Sequence, residues 1–157
     1  MATHPPIGAE LADFLESGLA ITIATRDADL EPDGGWAWAA RVDEDLLHII
    51  LFVHELSAPS LLRNLESHPE IAVALDLPSS HRACQVKGRF ESARPGRPEE
   101  RALIERQVAA FTSDLEAIGI PRALTGGWRC WPAVALRFRV TELYEQTPGP
   151  GAGEPLR

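Results

Sequence analysis

The chain is poor in sulfur and in lysine. Two cysteines, Cys84 and Cys130, are too few for a disulfide framework. The expected setting is therefore reduced and cytoplasmic. No apolar run nears the roughly 18 residues that a membrane helix needs. Residues 1–6 lack the basic start and apolar stretch of a signal peptide. Metal-ligand spacings are missing too: His4, His48, His54, His68 and His81 form no HxH or HExxH pattern and no Cys/His cluster. His48 and His54 fall on one expected strand, about 20 Å apart at roughly 3.3 Å per residue, which excludes a shared metal. There is no GxSxG elbow, no Walker loop and no GxGxxG turn. Cys84 reads as a buried small hydrophobe rather than a nucleophile.

What is present suits one globular domain: 157 residues, 45% hydrophobic and 24% charged. The domain is expected over residues 1–147, with a mobile low-complexity tail over 148–157. The net charge of −8 speaks against nucleic acid as a partner. It is unevenly spread: residues 1–78 carry −11 and residues 79–157 carry +3. The basic side chains are 14 Arg and Lys87 alone, and the Arg fork suits phosphate or carboxylate. An anionic ligand should find its partners in the second half, or at Arg26, Arg41 and Arg63.

Alternating patterns predict six strands, over 19–26, 36–42, 46–54, 70–77, 83–92 and 133–144. The third is apolar throughout and should be buried on both faces. Helical spacing predicts helices over 7–18, 58–67 and 98–118, with Ser57 as N-cap of the second and glycines 18 and 119 as stops. Residues 27–35 read as a turn and 119–132 as a loop. Without βαβ alternation, the expected fold is mainly β: a six-stranded antiparallel barrel with flanking helices.

Three expected strands present small faces, Ala20/Ala24, Ala37/Ala39 and Ala72/Ala74, suited to a packed helix or a flat ligand. Gln85, Lys87 and Arg89 share one strand face, either a solvated stripe or a binding surface. Trp36, Trp38, Trp128 and Trp131 flank short loops, as a stacking surface or as core filler. His54 ends a buried strand before a polar turn, in a structural or a functional role.

The order of elements resembles the FMN-binding split barrel proteins related to pyridoxamine 5′-phosphate oxidase. The resemblance covers about residues 8–147. It rests on the short first helix, Ile21-Thr-Ile-Ala-Thr-Arg-Asp27 before a Gly/Pro turn, and a second strand ending in a basic residue. It continues through the third strand, Ser-Ala-Pro-Ser-Leu-Leu-Arg-Asn-Leu65 before His68-Pro69, and Arg82-Ala-Cys-Gln-Val-Lys-Gly88. The ending, from Tyr144 to Gly153, is similar to that of an uncharacterised branch of the family.

The resemblance implies a homodimer with FMN in a groove at the interface. It implies a basic residue near the flavin at Arg41, and a phosphate turn at His54, Ser57 and Ser60 with Arg63 nearby. It also implies a flavin contact at Gln85, with Lys87 on the same face. Trp128, Arg129 and Trp131 would reach across from the partner subunit. Leu61 stands where members often have Lys or Arg, and Trp36 stands where an Arg is common. The implied activity is FMN-dependent oxidoreduction of an unassigned substrate. Two other readings stay open: a flavin-, F420- or haem-binding protein without turnover, and a dimeric scaffold whose groove has decayed.

Overall fold

The computed structural model describes residues 7–156. Residues 1–6, read above for a signal segment, and Arg157 lie outside the described part. The strands are β1 (Ala20–Arg26), β2 (Pro32–Ala37), β3 (Ala39–Val42), β4 (His48–His54), β5 (Glu70–Leu77), β6 (Arg82–Pro95) and β7 (Ala133–Glu145). The helices are α1 (Ala9–Leu15), α2 (Ala58–Ser67), α3 (Arg101–Ala117) and α4 (Arg122–Thr125). Among the described residues, no helix is long and apolar enough to cross a membrane.

All seven strands form one antiparallel sheet in the order β2-β1-β5-β6-β7-β4-β3. The two edge strands, β2 and β3, are consecutive in the chain and separated only by Trp38. A segment that pairs with β1 on one side of Trp38 and with β4 on the other forces the sheet to curl until its edges approach. The expected second strand is thus two, and the count is seven rather than six. The break lies where the backbone changes partner. Trp38 N–H already bonds to the Phe52 carbonyl on β4, whereas Ala37 still pairs with Ile21 on β1. The expected turn over 27–35 is also shorter, because Pro32–Gly35 pair with Arg26–Ile23.

The barrel interior holds Ile21 and Ile23, Ile49, Leu51 and Val53, Ile71, Val73 and Leu75, Val86, and Leu136 and Phe138. β4 is buried on both faces, as its sequence predicts. Ile49, Leu51 and Val53 turn into the barrel, while Ile50 and Phe52 join a second cluster with Ile104 of α3, Ala133 and Ala135. β6 and β7 are the longest strands and pair through two irregularities, one of them at Lys87/Gly88.

Several helix bounds differ from expectation. α1 is seven residues long, with its C-cap at Glu16 rather than beside Gly18. Gly18, at φ +91°, instead allows close approach to α3, where a Cβ would lie 2.5 Å from the Gln107 carbonyl. The third helix begins as a 3₁₀ turn, Pro98–Glu100, before α3. α4 interrupts the expected loop. Gly119 follows α3 at φ +93°, as a helix stop should. The segment read as a tail doubles back along β7: Glu145 N–H bonds to the Glu154 carbonyl, Gly153 N–H to Glu145, and Leu156 N–H to Leu143. Leu156 packs against the main core.

Candidate functional site

A cleft of about 820 Å³ opens where β2, the end of β4, the start of α2, α3 and the loop after α4 converge. It is lined by Gly34, Gly35 and Trp36, Trp38, His54, Leu56, Ser57 and Ser60, Phe111, and Trp128 and Arg129. Its size is within the roughly 300–1,000 Å³ of small-molecule sites. None of the lining residues is acidic, although the first half of the sequence carries −11.

The polar side of the cleft is one continuous turn. β4 ends at His54, and Ser57 N–H bonds back to the His54 carbonyl at 2.9 Å. Glu55 N–H is held by the Pro132 carbonyl at 3.0 Å, which ties the turn to the start of β7. Ser57 precedes α2 with helical backbone angles, so its hydroxyl does not cap the helix as the sequence suggested. Among the described residues, the Ser57 and Ser60 hydroxyls have no hydrogen-bond partner, and Arg129 is exposed with no ion pair.

The apolar side is aromatic. Trp128 lies 5.4 Å from Trp38 between ring centroids, tilted, and 5.8 Å from Phe111, nearly parallel. Trp36 is 53% exposed and Trp128 40% exposed, so both walls keep ring surface for a ligand. Gly35 lets the β2 backbone run close to α2, where a Cβ would meet Leu61 Cδ1 at 2.9 Å.

The cleft therefore gathers His54, Ser57, Ser60, Trp128 and Arg129 of the sequence candidates. The others lie elsewhere. Arg41 bonds Glu100 at 3.1 Å, and Glu100 is gripped twice by Arg94, at 2.6 and 2.8 Å, and by Arg97 N–H at 2.9 Å. This buried carboxylate is held well below its usual range, at about 2, chiefly by the Arg94 hydrogen bonds. Arg63 is exposed on α2 and outside the cleft. Trp131 packs in the second apolar cluster, its ring close against Gly96.

Gln85 and Lys87 stand on the outer face of the sheet. The register aligns Thr22, Ala74, Gln85 and Tyr144 in one row and Ala24, Ala72, Lys87 and Glu142 in the next. Lys87 lies 3.9 Å from Glu142 and 5.1 Å from the Tyr144 ring centre. Of the small residues of β1 and β5, Ala20 packs against Phe111 and Leu115 of α3, whereas Ala24 and Ala74 are exposed.

The sequence reading did not assign Phe111, Leu56, Gly34 or Gly35 to a site. Phe111 follows the apolar face of α3 and is buried, so periodicity points it only to the core. The glycines carry a turn signal that masks their place in a strand. Burial raises the Cys84 thiol to about 12 and pushes Cys130 up as well, which disfavours the thiolate at both. Asp43, Asp45 and His48 cluster, but Arg137 and Glu91 already pair with them.

No family model matches the chain, and no curated protein matches it. Solved structures do. HupZ of Group A Streptococcus is 18% identical, over 94% of this chain and 99% of that one, with a TM-score of 0.57. A candidate pyridoxamine 5′-phosphate oxidase from Lactobacillus delbrueckii is 14% identical, over 91% and 97%, with a TM-score of 0.55. An F420 reductase is 17% identical, over 83% and 93%, with a TM-score of 0.54. The chain has the split-barrel fold of these proteins, the fold expected from the order of its elements.

Proposed function

We propose that this chain binds FMN in the aromatic cleft and acts as an FMN-dependent oxidoreductase similar to pyridoxamine 5′-phosphate oxidase. The cleft's composition carries the reading. An acidic protein has built a cavity whose lining holds no carboxylate but three indoles, an imidazole, an arginine and two hydroxyls without a hydrogen-bond partner among the described residues. FMN is a flat ring joined to a phosphate, and it matches both the indoles and the polar groups. Two of the similar structures are named for oxidation or reduction, which supports the same reading.

Ser57, Ser60, His54 and Arg129 would hold the phosphate, and Trp36, Trp38 and Trp128 would flank the ring. Bound FMN supplies the two-electron chemistry, so no side-chain nucleophile is required. The protein's part is to orient the ring and to keep water from one of its faces.

A second copy of the chain would complete the site. Another barrel would approach the exposed part of the outer face, around Ala24 and Ala74, and bring Gln85 and Lys87 to the partner's cleft. The decayed-groove reading loses support, because Trp36 and Trp38 form walls of a cleft that stays open.

The test is a titration of the purified protein with FMN, followed by assay with NADH and NADPH. The expected result is a bound flavin absorbance band that bleaches with one of the nucleotides. Absence of the band and of any FMN uptake would overturn the reading. Analytical ultracentrifugation should give twice the chain mass.

A further inference from the structure

Residues 121–129 carry α4 and the loop after it, between α3 and β7. Their backbone hydrogen bonds are local: Leu124 N–H to the Pro121 carbonyl, Gly126 N–H to Arg122 and Trp128 N–H to Thr125. The Thr125 hydroxyl also returns to the Arg122 carbonyl. Among the described residues, no hydrogen bond joins this segment to the sheet. Its ion pair, Arg122 with Glu116, runs to the surface of α3. Eight of its nine residues are exposed, Thr125 being the exception. A four-residue helix is too short to be stable by itself.

Both ends of the segment are fixed. Before it, Gly119 turns the chain out of α3 at φ +93°, and Ile120 packs with Phe111 and Leu115. After it, Cys130 and Trp131 join the second apolar cluster. The Pro132 and Ala133 carbonyls then accept Glu55 N–H and Gly96 N–H. Of the span between, Trp128 and Arg129 line the cleft. Arg129 has no ion pair among the described residues, so the Trp128 ring, against Trp38 and Phe111, is the anchor there.

We propose that residues 121–129 form a lid over the cleft, latched by the Trp128 ring, and that Phe111 positions the latch. Opening breaks ring contacts but no hydrogen bond to the sheet, which makes it a local event rather than an unfolding of the barrel. Phe111 is only 7% exposed and nearly parallel to the indole. It therefore acts on a ligand through Trp128. The ligand under the lid rests on the FMN reading above; the lid itself does not.

Amide hydrogen exchange of the unliganded full-length protein tests the lid. In Trp128→Ala, the Leu124 and Gly126 amides should exchange about tenfold faster, with Glu55 and Gly96, beyond the lid, unchanged. No change at Leu124 and Gly126, or an equal rise at all four, overturns the latch. Phe111→Leu keeps an apolar filler without the ring. It should speed the same two amides, yet add nothing in a double variant with Trp128→Ala. Additive effects overturn the positioning role. FMN should slow exchange at Leu124 and Gly126. Phe111→Leu should weaken FMN about threefold when Trp128 is present and not at all in Trp128→Ala. A loss in both backgrounds would mean that Phe111 touches the ligand itself, against the proposal. The expected exchange pattern in a protein that takes up no FMN supports the lid and sinks the flavin reading. FMN uptake without that pattern sinks the lid alone.

Discussion

The side-chain amide of Gln107 closes on the backbone of Ala40: its Oε1 accepts the Ala40 N–H at 3.0 Å and its Nε2 donates to the Ala40 carbonyl at 2.7 Å. A residue of α3 thereby stands in for the strand that β3 lacks on its open side. Val42 N–H is treated similarly, by Glu16 Oε1 at 2.7 Å. An edge strand with unpaired groups invites pairing with other chains, and here a side chain of α3 and the C-cap residue of α1 seal it. Gln107→Leu keeps the volume but leaves two buried backbone groups unpaired, a cost of about 3 kcal/mol. Chemical denaturation should show this loss. A variant as stable as wild type would mean that water replaces the amide.

Glu100 makes the fold sensitive to acid. Its carboxylate sits at about 2 when folded, against the ordinary 4.5 of a glutamate in water. Between those values the unfolded chain binds the extra proton, so stability falls as pH drops. The contribution is complete above about pH 5 and is lost progressively toward pH 2, on the order of 3 kcal/mol in all. Urea unfolding at pH 6 and at pH 3 should show the loss in wild type. Glu100→Gln should lower stability at pH 6 and flatten this part of the acid dependence.

Arg41 and Arg129 should separate cleanly in binding. Arg41 serves Glu100, which keeps Arg94 and the Arg97 N–H when Arg41 is removed. Arg41→Ala should therefore cost about 1 kcal/mol of stability, with FMN affinity unchanged within about threefold. Arg129 lines the cleft with no ion pair among the described residues, and Arg129→Ala should weaken FMN about tenfold. Isothermal titration of both variants decides; the reverse order would return Arg41 to the cofactor site.

β1 and β5 were legible in the sequence because each alternates between a buried face and an outer face, a pattern that needs only local information. The break at Trp38 was not. Trp36, Trp38, Ala40 and Val42 alternate as one strand, yet the segment exchanges β1 for β4, and that exchange is set by long-range pairing. The turn at His54, Ser57 and Ser60 was legible because it is contiguous. Phe111 reaches the same cleft from α3, where its spacing says only that it packs. Arg41 shows the converse: its position at a strand end suggested a ligand, but Glu100, distant in sequence, claims its charge.

Gly88 marks a constraint that the sequence did not announce. It lies in the middle of β6 beside the irregular pairing with β7. A Cβ there would come within 2.3 Å of the Arg139 carbonyl and 2.5 Å of the Phe138 ring. Neither can yield, since one is backbone and the other is a fully buried core side chain. Gly88→Ala should destabilise by about 3 kcal/mol or more. Gly127→Ala is the control, because nothing lies within 4 Å of its Cβ position. Its melting temperature should stay close to wild type.

Trp128 is the aromatic wall most suited to contact a flavin ring, since it is braced from within the protein by Trp38 and Phe111 and still 40% exposed. Stacking of a flat heterocycle on such a side chain contributes about 1–3 kcal/mol. Trp128→Ala should thus weaken FMN, and riboflavin, which lacks the phosphate, alike by roughly tenfold or more. Trp128→Phe should recover most of the affinity. Bound flavin should also quench the indole fluorescence of wild type, with a smaller drop in Trp128→Phe. Equal quenching in both proteins would move the ring to the Trp36 side of the cleft.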